Sequence, residues 1–148
     1  WRSRGPAGVL GRFRGGQVRV LDKVLEPCAA QGGLESIADA PMDEAPRLDV
    51  VFMPGGPGVG ALMEDRPPLE FLRRQAKEAR YVTSVCTGAL VLGAAGLLKG
   101  YRATTHWLSL DLLPEFGATA APERRGGLGG WPGSPGRCRR RSTTRGAA

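Results

Sequence analysis

The chain has 148 residues, enough for one domain with a modest core, and carries a formal net charge of +7. Three cysteines and one histidine, with no C-x-x-C pair, argue against a zinc cage and against a disulfide framework. No stretch reaches the roughly 18 apolar residues of a membrane span. The basic N-terminus lacks a following apolar segment of the signal-peptide kind, so a cytoplasmic location is the expectation.

The charge is uneven along the chain. Residues 1–21 hold five arginines and no acid, and the first residue is Trp1 rather than Met. That start reads as a fragment, a processed product or a translation begun mid-gene. The middle, 22–121, holds nine basic and thirteen acidic residues, so the basic character lies in the ends.

"Q-V-R-V-L", 17–21, alternates and is rich in valine, which predicts a strand. Residues 25–46 carry a Gly-Gly between two semi-alternating runs, which predicts a β excursion and then an acidic loop. "L-D-V-V-F-M", 48–53, is a short apolar run ended by Pro-Gly-Gly, the pattern of a buried parallel strand. In 67–79 a leading proline precedes Leu69, Leu72 and Ala76 on one face, which predicts an amphipathic helix. "Y-V-T-S-V", 81–85, predicts another buried strand, and 87–98 turns helical. "R-A-T-T", 102–105, predicts a strand, 107–113 a helix stopped near Gly117, and 117–120 the start of one more strand. Strands alternating with helices imply a mostly parallel sheet covered on both faces.

From about Arg124 the apolar periodicity stops. Residues 122–148 hold seven arginines against one acid, Glu123. Such a segment buries too little surface to offset its ordering entropy and is expected to be disordered. A Gly/Arg-rich tail can bind phosphates, or it can have no evolved role, as out-of-frame sequence of a GC-rich gene would. The second reading is favoured, so no specific nucleic-acid partner is expected.

Cys86 stands between the strand 81–85 and the helix from 87. A cysteine can be a small hydrophobe in a core. It can also be a nucleophile lifted out on a sharp strand-to-helix turn at the carboxyl edge of a sheet. Gly88 and Ala89 supply the small neighbours such a turn needs. A helix N-terminus there favours thiolate, the reactive species. A nucleophile also needs donors for developing negative charge. The N–H of Thr87 is one candidate, and the loop "M-P-G-G-P-G-V-G", 53–60, can supply another or be a plain turn. No Lys-Ser or Lys-Thr follows that loop, so it is not a phosphate loop. His106 follows the strand 102–105 and should emerge at the same edge. Two readings stand for it, a structural histidine and the imidazole of a Cys-His pair.

"D-V-V-F-M-P-G-G-P-G", "T-S-V-C-T-G-A-L-V-L-G-A-A-G-L-L-K-G" and "Y-R-A-T-T-H-W" together resemble the DJ-1/PfpI superfamily over roughly residues 5–123. Cys-Thr followed by A-T-T-H-W is similar to its isonitrile hydratase branch. The same motifs occur in the sensor domains of AraC-type (GlxA-like) transcription regulators. The resemblance implies an α/β, flavodoxin-like three-layer sandwich with a glutamine amidotransferase-like core. It implies Cys86 as nucleophile and Gly56 and Thr87 as oxyanion-type donors; with Thr87, His106 is kept as a further catalytic candidate on its place at the same edge. It implies no cofactor and no metal, an isonitrile-like small-molecule substrate, no membrane partner and a homodimer. Thr87 replaces the histidine of the protease-like branch, which argues against peptidase activity. A carbonyl-detoxifying role would rely on a glutamate beside the thiol, which this chain lacks.

The departures are at the ends. "R-S-R-G-P" aligns with the family's "D-L-T-G-P", so Arg2 stands where an acid belongs. A second acid near Gly8 and the closing strands after residue 123 have no counterpart. The expected organisation is therefore a DJ-1/PfpI-like domain over 5–123, truncated at both ends, flanked by basic disordered segments 1–4 and 124–148. The expected function is a cysteine-dependent isonitrile hydratase with impaired activity. The alternative is a non-catalytic ligand or redox sensor of an AraC-type regulator.

Overall fold

A computed structural model of the chain describes residues 8, 11–12, 15–23, 25–29, 35–122 and 139–140. Its centre is a parallel pair, β5 (Val50–Met53) and β6 (Tyr81–Ser84), in the register Val50↔Tyr81 to Met53↔Ser84. Both runs are short; Val51 and Ser84 are buried, but Val50 is exposed and the rest is half-buried, so the pair is less covered than the predicted buried strands. Four further strands precede them. β1 (Leu21–Asp22) pairs in parallel with β4 (Ala40–Pro41), and β2 (Cys28–Ala29) pairs antiparallel with β3 (Glu35–Ser36). The predicted strand 17–21 is thus displaced to 21–22. Its end is held at Val20, whose carbonyl accepts the Asp39 N–H at 2.7 Å and whose N–H donates to the Asp39 carboxylate at 2.6 Å. A side chain there takes the place of a ladder partner.

Two helices cross from β5 to β6. α1 (Val59–Glu64) was not anticipated, because the glycines before it read as loop. Val59, Leu62 and Met63 nevertheless recur at helical spacing and meet the core. α2 (Arg66–Ala76) is the predicted amphipathic helix, with Pro67 in its first turn. It buries Pro68, Leu69, Phe71, Leu72 and Gln75. The buried amide of Gln75 is satisfied by the incoming strand: its Oε1 accepts Leu48 N–H at 3.2 Å and its Nε2 donates to Pro46 O at 3.0 Å. The Asp65 carboxylate, just before α2, pairs with Lys23.

α3 (Gly88–Ala94) follows β6 and is buried over its first six residues. Arg73 of α2 donates to Ala95 O at 2.9 Å and Ala94 O at 3.4 Å, so it caps the carboxyl end of α3 from outside. Beyond α3 lies β7 (Tyr101–Ala103), parallel to β8 (Thr119–Ala120). Their connection is the predicted helix, a 3-10 helix that runs from Trp107 to Phe116, past the expected end at 113. Pro114 has no N–H to continue an α-helical ladder. Gly117, at φ 70°, ends it where the sequence placed the stop. Val91, Leu92, Leu98 and Leu113 are the most deeply buried side chains and join α3 to this 3-10 helix.

The architecture is α/β of the flavodoxin-like kind, with helices packed on parallel strand pairs. Within the arginine-rich tail, Arg139–Arg140 form β9, antiparallel to Tyr101–Arg102, where disorder was expected. The rest of that tail, the segment 1–4 and the Arg2 position lie outside the described residues. No described helix is long and apolar enough to cross a membrane.

Candidate active site

β5 and β6 end side by side, so the loops that leave them share one edge. The ladder continues one bond past the strands, with Val85 N–H donating to Met53 O at 3.1 Å. The chain then turns abruptly. Cys86 adopts φ 55°, and it is the one described non-glycine residue with a positive φ. That region costs a residue bearing a Cβ on the order of 1–3 kcal/mol and persists only where neighbours over-determine it. Three contacts hold it. Gly88 N–H donates to Val85 O at 3.0 Å, which closes the turn. The Thr105 hydroxyl donates to Cys86 O at 3.0 Å. The glycine loop packs against the far side.

Two glycines allow that packing. A Cβ on Gly88 would sit 2.3 Å from Met53 O and 2.9 Å from the Pro54 carbonyl. A Cβ on Gly55 would meet Thr87 N at 2.7 Å, Thr87 Oγ1 at 2.8 Å and Cys86 Cβ at 2.9 Å. Neither contact leaves room for any side chain. The result is an exposed free thiol on a strained strand-to-helix turn, backed by the loop after β5.

The expected site residues are placed as follows. Thr87 is the N-cap of α3, and its own N–H has no acceptor among the described residues. The Gly56 N–H donates to Thr87 Oγ1 at 3.1 Å. Having accepted that bond, the Thr87 hydroxyl keeps its proton to donate elsewhere. His106 caps the 3-10 helix, with Nδ1 accepting the Leu108 N–H at 3.4 Å. Its ring lies 5.6 Å from that of Trp107. No hydrogen bond joins His106 to Cys86 among the described residues; Thr105, its neighbour, makes the link to the turn instead. Thr105 stands within the quoted A-T-T-H-W motif, yet nothing local to it marks the bond to residue 86. Among the described residues no three His, Cys, Asp or Glu side chains cluster so as to hold a metal. A cavity of about 40 Å³ lined by the loop after β5 and by Val59 and Leu62 of α1 does not include Cys86.

A strained, exposed cysteine thus stands between a parallel strand and a helix, beside a glycine loop. The model of the DJ-1/PfpI family matches residues 3–124. The chain belongs to the DJ-1/PfpI family. It is 52% identical over 120 residues to the isonitrile hydratase of Pseudomonas putida, an alignment covering 81% of this chain and 53% of that protein. It is 40% identical over 86 residues to the HTH-type transcriptional regulator GbdR of Pseudomonas aeruginosa, covering 58% of this chain and 23% of the regulator. Among solved structures, a THiJ/PfpI family protein from Pseudomonas syringae superimposes with a TM-score of 0.78 at 40% identity, over 82% of this chain and 51% of that one. This DJ-1/PfpI chain thus spans about half the length of the hydratase and about a quarter of the regulator it matches.

Proposed function

We propose that this DJ-1/PfpI chain is a cysteine-dependent hydratase of small isonitriles. The observation that carries the reading is its 52% identity to an isonitrile hydratase across 81% of the chain. The turn at Cys86 supplies chemistry of the right kind. In the proposed reaction Cys86 Sγ adds to the terminal carbon of R–N≡C, and that carbon takes one proton to give the thioimidate R–N=CH–S. A proton then reaches nitrogen, the oxygen of water adds to the same carbon, and the two protons of that water are released to replace the two taken up. The C–S bond breaks with its electron pair returning to sulfur, and R–NH–CHO leaves. One water is consumed in all. Thr87 Oγ–H and Thr87 N–H are the proposed donors to developing negative charge. His106 Nε2 is the proposed proton carrier. Gly56 acts one step back in this scheme, by orienting the Thr87 hydroxyl.

By the resemblance of "R-S-R-G-P" to the family's "D-L-T-G-P", Arg2 stands where the branch would carry an acid. Loss of a positioned acid/base group typically lowers a rate by about 10²–10⁴-fold, so turnover by this chain should be slow. The test follows N-alkylformamide formation from a simple alkyl isonitrile by NMR. Slow production that Cys86→Ala abolishes and Arg2→Asp accelerates is the expected result. No formamide above the Cys86→Ala background, from either the natural chain or Arg2→Asp, would end the hydratase reading. The second reading, a sensor domain of a transcription regulator, is favoured by the 40% identity to GbdR. It would then stand alone. The proposed unit covers residues 5–123 and works as a cytoplasmic homodimer. Limited trypsin digestion and light scattering of the product check the unit and its association.

A further inference from the structure

We propose that Thr105 is a positioning residue that aims the Thr87 N–H. The peptide unit between Cys86 and Thr87 is trans and planar, so its C=O and N–H point in opposite directions. The Thr105 hydroxyl donates to that C=O at 3.0 Å. Fixing the carbonyl fixes the direction of the N–H on the other side of the same plane. That N–H has no acceptor among the described residues, and the Gly55 backbone packs close beside it. The unit begins at Cys86, whose φ of 55° is strained. Without an external anchor, a strained peptide can relax by rotation, and the N–H would turn with it. Thr105 comes from the end of β7, 19 residues away, so the anchor ties a second strand end to the turn.

The inference rests on Cys86 being the nucleophile but not on an isonitrile being the substrate. Its test therefore uses two reagents, on a Cys28→Ser, Cys138→Ser background in which Cys86 is the one thiol. Acylation by p-nitrophenyl acetate forms a C–S bond, passes through a tetrahedral oxyanion and expels p-nitrophenolate. Alkylation by iodoacetamide forms a C–S bond and expels iodide with no oxyanion. Losing an oxyanion donor outright typically lowers a rate by about 10²–10³-fold, so a misaimed one should lower it by about 10-fold or more. Thr105→Val should therefore slow acylation by about that factor while alkylation holds, and Thr105→Ser should restore it. Thr105→Ala serves the same purpose where Val packs poorly. The inference fails if both rates fall together, if neither changes, or if Ser does not rescue. It also fails if only hydroxyl-bearing variants fold, since the bond is then structural. A chain that makes no formamide can still pass this test. A Cys86 inert to both reagents would remove the nucleophile assignment and this inference together.

Discussion

The Thr87 hydroxyl accepts the Gly56 N–H at 3.1 Å, so one hydrogen bond ties the loop after β5 to the turn after β6. Backbone from two separate strand ends thereby acts as one rigid surface around the Cys86 thiol. The bond also orients the hydroxyl, because an oxygen that accepts on one side directs its own proton to another.

That arrangement predicts a sharp distinction at residue 87. Thr87→Val keeps the shape but removes both the acceptor and the donor. Cys86 acylation should fall by about 10²-fold. Thr87→Ser should retain most of it. Rates of p-nitrophenolate release, compared at equal folded fraction by circular dichroism, check this.

The positive φ of Cys86 makes a stability prediction of unusual sign. Replacing a residue by glycine normally destabilises, but glycine meets no Cβ penalty at φ 55°. Cys86→Gly should be more stable than Cys86→Ala by about 1 kcal/mol. Urea melts of the two variants measure it. An alanine variant more stable than the glycine one would show that the turn relaxes once sulfur is removed.

Gly88 faces the Met53 carbonyl at a distance no Cβ tolerates. Gly88→Ala must push β5 and α3 apart. It should destabilise by about 1–3 kcal/mol, as overpacking does, and should slow Cys86 acylation as well. Gly58, with open space around its Cβ position, is the control. Gly58→Ala should change neither quantity appreciably.

Gln75 is 5% exposed and holds both Leu48 N–H and Pro46 O. Gln75→Leu fills the space but removes the partner of the Leu48 N–H and of the Pro46 carbonyl, two part-buried hydrogen bonds. Each lost hydrogen bond is worth about 0.5–1.5 kcal/mol, so the loss of stability should exceed that of an ordinary surface change. Chemical denaturation of Gln75→Leu, beside the exposed Glu78→Leu, provides the comparison.

Cys86 should be the first thiol of the folded region to react. Its side chain is exposed and free, on a turn held open by two glycines. With limiting iodoacetamide, peptide mass mapping should find label on Cys86 ahead of Cys28. Preferential labelling of Cys28 would contradict the assignment of Cys86.

Much of this was legible in the chain because local patterns suffice for it. The apolar run before Pro54 and the spacing of Leu69, Leu72 and Ala76 specify β5 and α2 through their own periodicities. A cysteine followed by Thr-Gly-Ala after a valine-rich strand marks the turn by the small residues it needs. The helix over 107–113 and its stop at Gly117 were legible, whereas its 3-10 hydrogen-bond pattern is not revealed by side-chain spacing. Other features depend on residues far apart in sequence. The destination of the Gly56 N–H, the anchor from Thr105 to Cys86 O and the amide of Gln75 bridge 31, 19 and 27 positions in turn. Composition and spacing assign each of these groups a donor or acceptor but no partner. Partners follow only when parallel register sets Met53 beside Ser84, and β7 beside the turn, so that backbone groups without ladder bonds meet the side chains that satisfy them.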